Sequence, residues 1–296
     1  MRSRRTDLAM EARELWQESA GEMTTLRGVE ARDGEREGIP VNTVRILDQE
    51  GERALGKPRG TYVTLTLEGV ANRAEDIFGR AVRAVAGELS ALLSGVPGDG
   101  LALVVGLGNR EITPDAVGPR VHGYTLVTRH LLRQMPEHFG AFRPVASLAA
   151  EVLGTTGVES GELVRAACGE LRPAAVVAVD ALASRSLERL CRTVQLSDTG
   201  ITPGSGVGNH RLGLTRETLG VPVIAVGVPT VVDGATLAAD LLGVEELPEQ
   251  VGGRELFVTP KDIDSQVADM ARIIGYGINL ALQPGMSLEE LELLLG

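Results

Sequence analysis

Two aspartates are placed by type and context to do chemistry. Asp180 directly follows Ala174-Ala-Val-Val-Ala-Val179, a run that is apolar on every side. A carboxylate at the end of such a run is either solvated in a crevice or paired, because burying it uncompensated is too costly. Its other reading is a cap on a helix whose first turn begins near Ala183. Asp115 lies in the polar loop Gly106-Leu-Gly-Asn-Arg-Glu-Ile-Thr-Pro-Asp115, after a second apolar run and ahead of a helix, and capping is its alternative as well. Brought together, two carboxylates repel and desolvate one another until their pKa values split and one proton is shared near neutral pH. Such a dyad can activate water against a peptide carbonyl. The same pair could instead hold a divalent metal with His210 or His122 as third ligand, and spacing does not separate the two readings.

Other motifs carry less. Gly106-x-Gly108 is followed by Asn109, and Glu stands at position 111 where a dinucleotide fingerprint needs its third glycine. Gly204-Ser-Gly206-Val-Gly208 lacks the Lys-Ser/Thr sequel of a phosphate loop. Both read as close backbone approaches, the second a candidate oxyanion donor. Asp198-Thr-Gly200 matches the triplet of all-β aspartic proteases, but its βαβ surroundings assign Asp198 a supporting role. Ser205 has no GxSxG elbow, and Cys168 sits within an amphipathic helix, so neither is a nucleophile. Of the four histidines, His122 and His130 share one helix as packed or solvated groups, and His210 in the glycine loop is the one expected near the crevice.

The elements that must position these residues follow from hydrophobic period. Leu101–Leu107, Ala174–Val179 and Val221–Val226 are apolar on every face, as central parallel strands are when helices cover both sides. Helical stretches lie between them near Val117–Gln134, Glu159–Leu171 and Ser184–Cys191, and Thr193–Leu196 reads as a further strand. Strands alternating with helices define an α/β fold with a doubly wound, mostly parallel sheet flanked by helices. A long helix from Lys261 to Leu282, with Thr259 as N-cap, packs on one face, and Ser287–Gly296 forms a short acidic helix. In the N-terminal third, Leu8 to about Met23 suggests an exposed amphipathic helix. Val41–Leu47 and Thr61–Leu67 alternate as strands of a small additional β-sheet within a subdomain of about residues 26–70. Glu75–Leu93 is a helix stopped at Gly95. In open sheets of this kind ligands bind outside the carboxyl ends of the strands, where Asp115 and Asp180 fall.

Composition bounds the rest. The 296 residues form one α/β domain with room for a large core, and 29 Lys+Arg against 40 Asp+Glu leave a net charge of −11, which argues against direct nucleic-acid binding. Two cysteines outside any metal-ligand spacing exclude a disulfide scaffold and a structural zinc. No apolar run is long enough to span a membrane, the N-terminus has no signal core, and the reading is a cytoplasmic protein without a cofactor.

Several segments together resemble the germination protease family of spore-forming bacteria. They are Arg5-Thr-Asp-Leu-Ala-Met-Glu11, Val105–Asn109 with Thr113–Pro119, Leu126–Leu131, Val179–Ala183, Ser197–Asn209, Gly220–Asp233 and Val258–Asp264, in order along nearly the whole chain. The resemblance implies an endopeptidase with a core similar to hydrogenase-maturation proteases. It would be made as a zymogen, assembled as a homotetramer, located in the forespore or spore core, and specific for small acid-soluble spore proteins. The family's two essential aspartates fall on Asp115 and Asp180. One, ionised, would polarise a water while the other, protonated, hydrogen-bonds the scissile carbonyl. Asn109, Gly204, Gly206 and Asp198 would support them. Arg185, His210 or Lys261 would face the acidic residue before the cut. The substrate pattern of acid, hydrophobic, Ala, any residue, Glu recurs at Asp7-Leu8-Ala9-Met10-Glu11, which implies self-cleavage between Asp7 and Leu8 and a pro-segment Met1–Asp7. This pro-segment is short for the family, and the stretch from Leu242 to Gly253 is abbreviated where the family carries an insertion.

Overall fold

The computed structural model describes residues 5–19, 26–69, 76–203, 212–244 and 256–295. The chain runs α1 (Ala9–Ser19), β1 (Val29–Arg36), β2 (Ile39–Ile46), α2 (Gln49–Leu55), β3 (Gly60–Thr66), α3 (Ile77–Leu92), β4 (Ala102–Leu107) and α4 (Val117–Gly123). It continues through α5 (Arg129–Gln134), α6 (Pro136–Phe139), β5 (Val145–Ala150), α7 (Leu153–Thr156), α8 (Ser160–Leu171), β6 (Ala175–Ser184) and β7 (Thr193–Ser197). The last elements are α9 (Arg216–Leu219), β8 (Val223–Asp233), α10 (Gly234–Leu242), β9 (Phe257–Val258), α11 (Ile263–Leu282) and α12 (Leu288–Leu295).

The strands form one sheet in the order β1-β2-β3-β7-β8-β6-β4-β5, with β9 added along β8. Its parallel block, β5-β4-β6-β8, is the doubly wound α/β core that the apolar runs require. All six residues of β4 are buried, because helices cover both faces. On one face α3, α4 and α11 bury Val177, Val179, Val226 and Ile274 in the larger core; on the other, α8 covers Leu103, Val105, Val176 and Ala178. Among the described residues no helix is long and apolar enough to cross a membrane.

The N-terminal strands do not close a sheet of their own. The antiparallel meander β1-β2-β3 joins the main sheet through β3 and β7, and β7 runs antiparallel to β8. The reason lies in β3, where Tyr62, Val63, Thr64 and Leu65 are buried consecutively, on both faces, as suits an interior strand.

Four further expectations change. The predicted helix Val117–Gln134 is two helices, because the Asn279 side chain of α11 accepts from Leu126 N and donates to Tyr124 O, satisfying the backbone at a break. The predicted helix Ser184–Cys191 is instead the end of β6 followed by a 3₁₀ turn, Leu187–Arg189. Thr259 does not cap α11: its Oγ1 donates to Thr230 O, and the helix begins at Ile263. The first helix forms, but its leading end is not exposed, since Leu8, Ala9 and Glu11 are all 0% accessible.

The loop after β4 is fixed by close backbone approach. A Cβ on Gly118, in the first turn of α4, would collide with the backbone of Leu107 and with the carbonyl of Val179 on β6. Gly118→Ala must therefore push α4 off both strands. We expect a loss of roughly 1–3 kcal/mol, read as a lower urea midpoint at unchanged m-value; an unshifted midpoint would show that the contact is soft.

Candidate active site

Asp180 lies within β6 rather than at its end, and is 5% exposed. Its neighbour β4 stops first: the last β4–β6 pair is Gly106 with Val179, so Asp180 is the first β6 residue beyond that ladder. This is the crevice position expected at a carboxyl end. Strand continues past it, so no helix is there to be capped. Its Oδ1 accepts from Ala181 N at 2.9 Å.

Asp115 ends a 3₁₀ turn, Thr113–Asp115, that packs against β6, β8 and α11. It does not cap α4, which has no side-chain cap; its Oδ2 turns back to accept from Asn109 N at 2.7 Å. Asn109 thus supports Asp115 through its backbone, while its own Oδ1 accepts from Glu111 N. Gly108 adopts φ +110°, and a Cβ there would strike the Asp115 carbonyl, so the loop can fold over this aspartate only with glycine.

The third component is the segment before α1. Asp7 N donates to Ala183 O at 2.9 Å, and Ala183 N returns a bond of 2.8 Å to Asp7 Oδ2. These contacts fall where the β6–β8 register slips between Leu182 and Ala183, next to Pro229, which has no N–H for the ladder. The Asp7 carbonyl accepts from Lys57 Nζ at 2.9 Å and from Gln195 Nε2 at 3.1 Å. Gln195 Oε1 also accepts from Ala9 N at 2.7 Å, so this one amide spans the Asp7–Leu8 bond. Gln195 and Asp180 both pair with Gly227 of β8, which sets them in one row across three strands, with the Leu182 side chain packed over Gly227 between them. Beside Asp7 is a cavity of about 380 Å³ lined in part by Lys57, Tyr62, Gln195, Ser197 and Gly227.

Downstream, the buried Glu11 carboxylate accepts from Thr6 Oγ1, Ser184 Oγ, Arg185 N, Ser186 N and Arg189 Nη1. Leu8 is fully enclosed between these anchors.

The remaining predicted residues separate. Arg185 meets the segment only through its backbone; its guanidinium pairs with Asp240 and Glu18. The cation found beside Asp7 is Lys57, whose ammonium burial pushes below its ordinary range while Asp7 and Glu11 oppose that shift. Lys261 is exposed on the turn before α11. Asp198 accepts from Thr61 N at 2.7 Å, tying β3 to the end of β7. Gly204, Gly206 and His210 lie outside the described residues, as do Met1–Arg4 and most of the abbreviated stretch ending at Gly253. His122 bonds Ser147 Oγ through Nδ1, and burial, aided by Arg110, favours its neutral form. Among the described residues no three His, Cys, Asp or Glu side chains cluster as a metal site.

Lys57 and Gln195 escaped the sequence reading. Gln195 left a signal, a polar residue flanked by Val194 and Leu196 in a strand buried throughout. Lys57, after the left-handed Gly56 that ends α2, left none.

The family model described as germination protease matches residues 9–245. Over 98% of both chains this protein is 44% identical to a germination protease of Caldanaerobacter subterraneus subsp. tengcongensis. It is 42% identical to one of Clostridium perfringens over 97% of each chain, and 39% identical to one of Bacillus velezensis over 96% of this chain and 94% of the relative. The class is thereby defined as a peptidase, an endopeptidase on an α/β scaffold. Within that class, the chain belongs to the germination protease family.

Tyr62, on the cavity wall, donates its hydroxyl to Pro58 O at 2.8 Å, and burial first, then Asp198 and Glu52, raises its pKa to about 12. The native state keeps a proton that the unfolded chain, with a phenol near pKa ~10, has released. Stability is therefore intact below about pH 10 and falls as pH rises towards 12, by up to about 1.4 kcal/mol per pH unit from this group. Tyr62→Phe should flatten the alkaline side of a stability–pH curve; an unchanged slope would contradict the assignment.

Proposed function

We propose that this endopeptidase degrades small acid-soluble spore proteins during germination, and that it is made as a zymogen that cuts itself between Asp7 and Leu8. Asp115 and Asp180 are the catalytic pair. The observation that carries the reading is the hold on the Asp7–Leu8 bond: it is anchored at Ala183, three residues beyond Asp180, and spanned by Gln195, which shares a strand row with Asp180. The chain's own substrate-like sequence thus occupies the crevice that the sheet topology assigns to ligands.

In the proposed reaction one aspartate, ionised, takes a proton from water as the water oxygen adds to the Asp7 carbonyl carbon. The tetrahedral species then collapses, the C–N bond breaks, and the protonated partner gives its proton to the departing Leu8 nitrogen. A new carboxylate on Asp7 and a free amine on Leu8 result. The fit of the pattern is physical: Asp7 meets a backbone N–H, Leu8 and Ala9 are wholly enclosed, and Glu11 fills a polar pocket.

A peptide containing Asp-Leu-Ala-Met-Glu should be cut before Leu by the processed enzyme. Asp115→Asn and Asp180→Asn should each slow that cleavage by about 10²–10⁴-fold with the far-ultraviolet circular dichroism spectrum unchanged. Wild-type rates in either variant would remove the aspartate pair from the mechanism.

A further inference from the structure

Lys57 and Gln195 lie outside the aspartate pair, yet both touch an atom that reacts in the proposed cleavage. The Asp7 carbonyl oxygen offers two lone pairs, and it accepts one bond from Lys57 Nζ at 2.9 Å and one from Gln195 Nε2 at 3.1 Å. We infer that Lys57 and Gln195 form the oxyanion site of this enzyme. The inference rests on the reading that Asp7–Leu8 is the bond cut.

The chemistry favours these groups. As water adds, the carbonyl oxygen becomes an alkoxide, and donors fixed beforehand in a site poor in water stabilise that charge with little reorganisation. Lys57 brings an amino donor on a buried stem, and a positive charge when protonated, a form that Asp7 and Glu11 favour against burial. Gln195 is itself only 8% exposed and is held by its second bond, from Ala9 N, so its amide N–H₂ is aimed before any charge develops. The two donors come from different elements, the turn after α2 and the strand β7, and reach one oxygen. With the carbonyl oxygen so occupied, the protonated aspartate is released from polarising it and serves the leaving nitrogen. The positive charge also offsets part of the repulsion between the developing alkoxide and the ionised aspartate. Lys57 Nζ additionally lies 3.4 Å from Thr6 O, a weaker contact to the preceding peptide. The rival reading is therefore that Lys57 only pins the segment in place.

The test is the first-order loss of Met1–Asp7 from the full-length chain, followed by intact mass, in wild type, Lys57→Met, Lys57→Arg and Gln195→Leu. Amide hydrogen exchange at Asp7 and Ala9 is measured in the same proteins. Lys57→Met should lower the rate by about 10²–10³-fold, and so should Gln195→Leu. Lys57→Arg, which keeps a charged donor, should recover most of the rate. Amide protection at Asp7 should persist in all four proteins. An undiminished rate in Lys57→Met would overturn the inference, and so would a lowered rate accompanied by lost protection, which marks Lys57 as a pin. If Lys57→Met fails to fold, Gln195→Leu decides by the same criteria. A wild-type chain that never sheds Met1–Asp7, under conditions where it cuts the peptide, would instead refute self-cleavage, on which this inference stands.

Discussion

A carboxylate taken out of water has to be met by donors, and in this protein the one that organises the site is Glu11. It is 0% exposed and accepts from five groups, four of them on the stretch Ser184–Arg189 and one on Thr6. Leaving such a charge uncompensated would cost several kcal/mol, so the geometry around it is tightly determined. Consequences spread in both directions along the chain. Downstream of β6 the backbone must present the N–H groups of Arg185 and Ser186 to the carboxylate. Upstream of Glu11 the chain must enter α1 through Thr6, whose Oγ1 also accepts from Leu8 N. The Asp7–Leu8 bond is delivered to the crevice between these two requirements.

The sheet supplies the opposite wall. Two strands of unequal length, β4 ending at Leu107 and β6 running on to Ser184, create a step at Asp180. Gly227 keeps the row between Asp180 and Gln195 clear of any side chain of its own, and the Leu182 side chain leans over it. On the far side the 3₁₀ turn bearing Asp115 is drawn in by the contact of Gly118 with both strands. The scaffold is rigid because β4, β6 and β8 of the parallel block are buried on both faces, and loops on such a frame can be held to the tolerances that bond cleavage needs.

Much of this was legible in residue order. The three wholly apolar runs declared β4, β6 and β8 but not the edge strand β5 of the parallel block, and an aspartate attached to one of them marked the crevice. The helices α3, α8 and α12 followed from period and stop signals. What stayed hidden was local structure overruled from a distance. The break between α4 and α5 depends on Asn279, more than 150 positions later. The non-helical course of Ser184–Leu190 answers to Glu11, a demand from the other end of the chain. The N-terminal strands joined the main sheet because β3 is buried on both faces, which its alternating sequence, read as half-buried, concealed. Lys57 sits in an unremarkable Gly-Lys-Pro turn, and only the fold brings it to the Asp7 carbonyl.

In the proposed reaction, water activated by Asp115 and Asp180 attacks the carbonyl that the site holds. Self-cleavage of the full-length chain in heavy-oxygen water tests this in a single turnover, with the released Met1–Asp7 peptide weighed by mass spectrometry. One heavy oxygen is expected in the new Asp7 carboxylate from wild type, and no appreciable peptide from Asp115→Asn or Asp180→Asn. A first-turnover peptide carrying only light oxygen, or release at the wild-type rate from either variant, would contradict that mechanism.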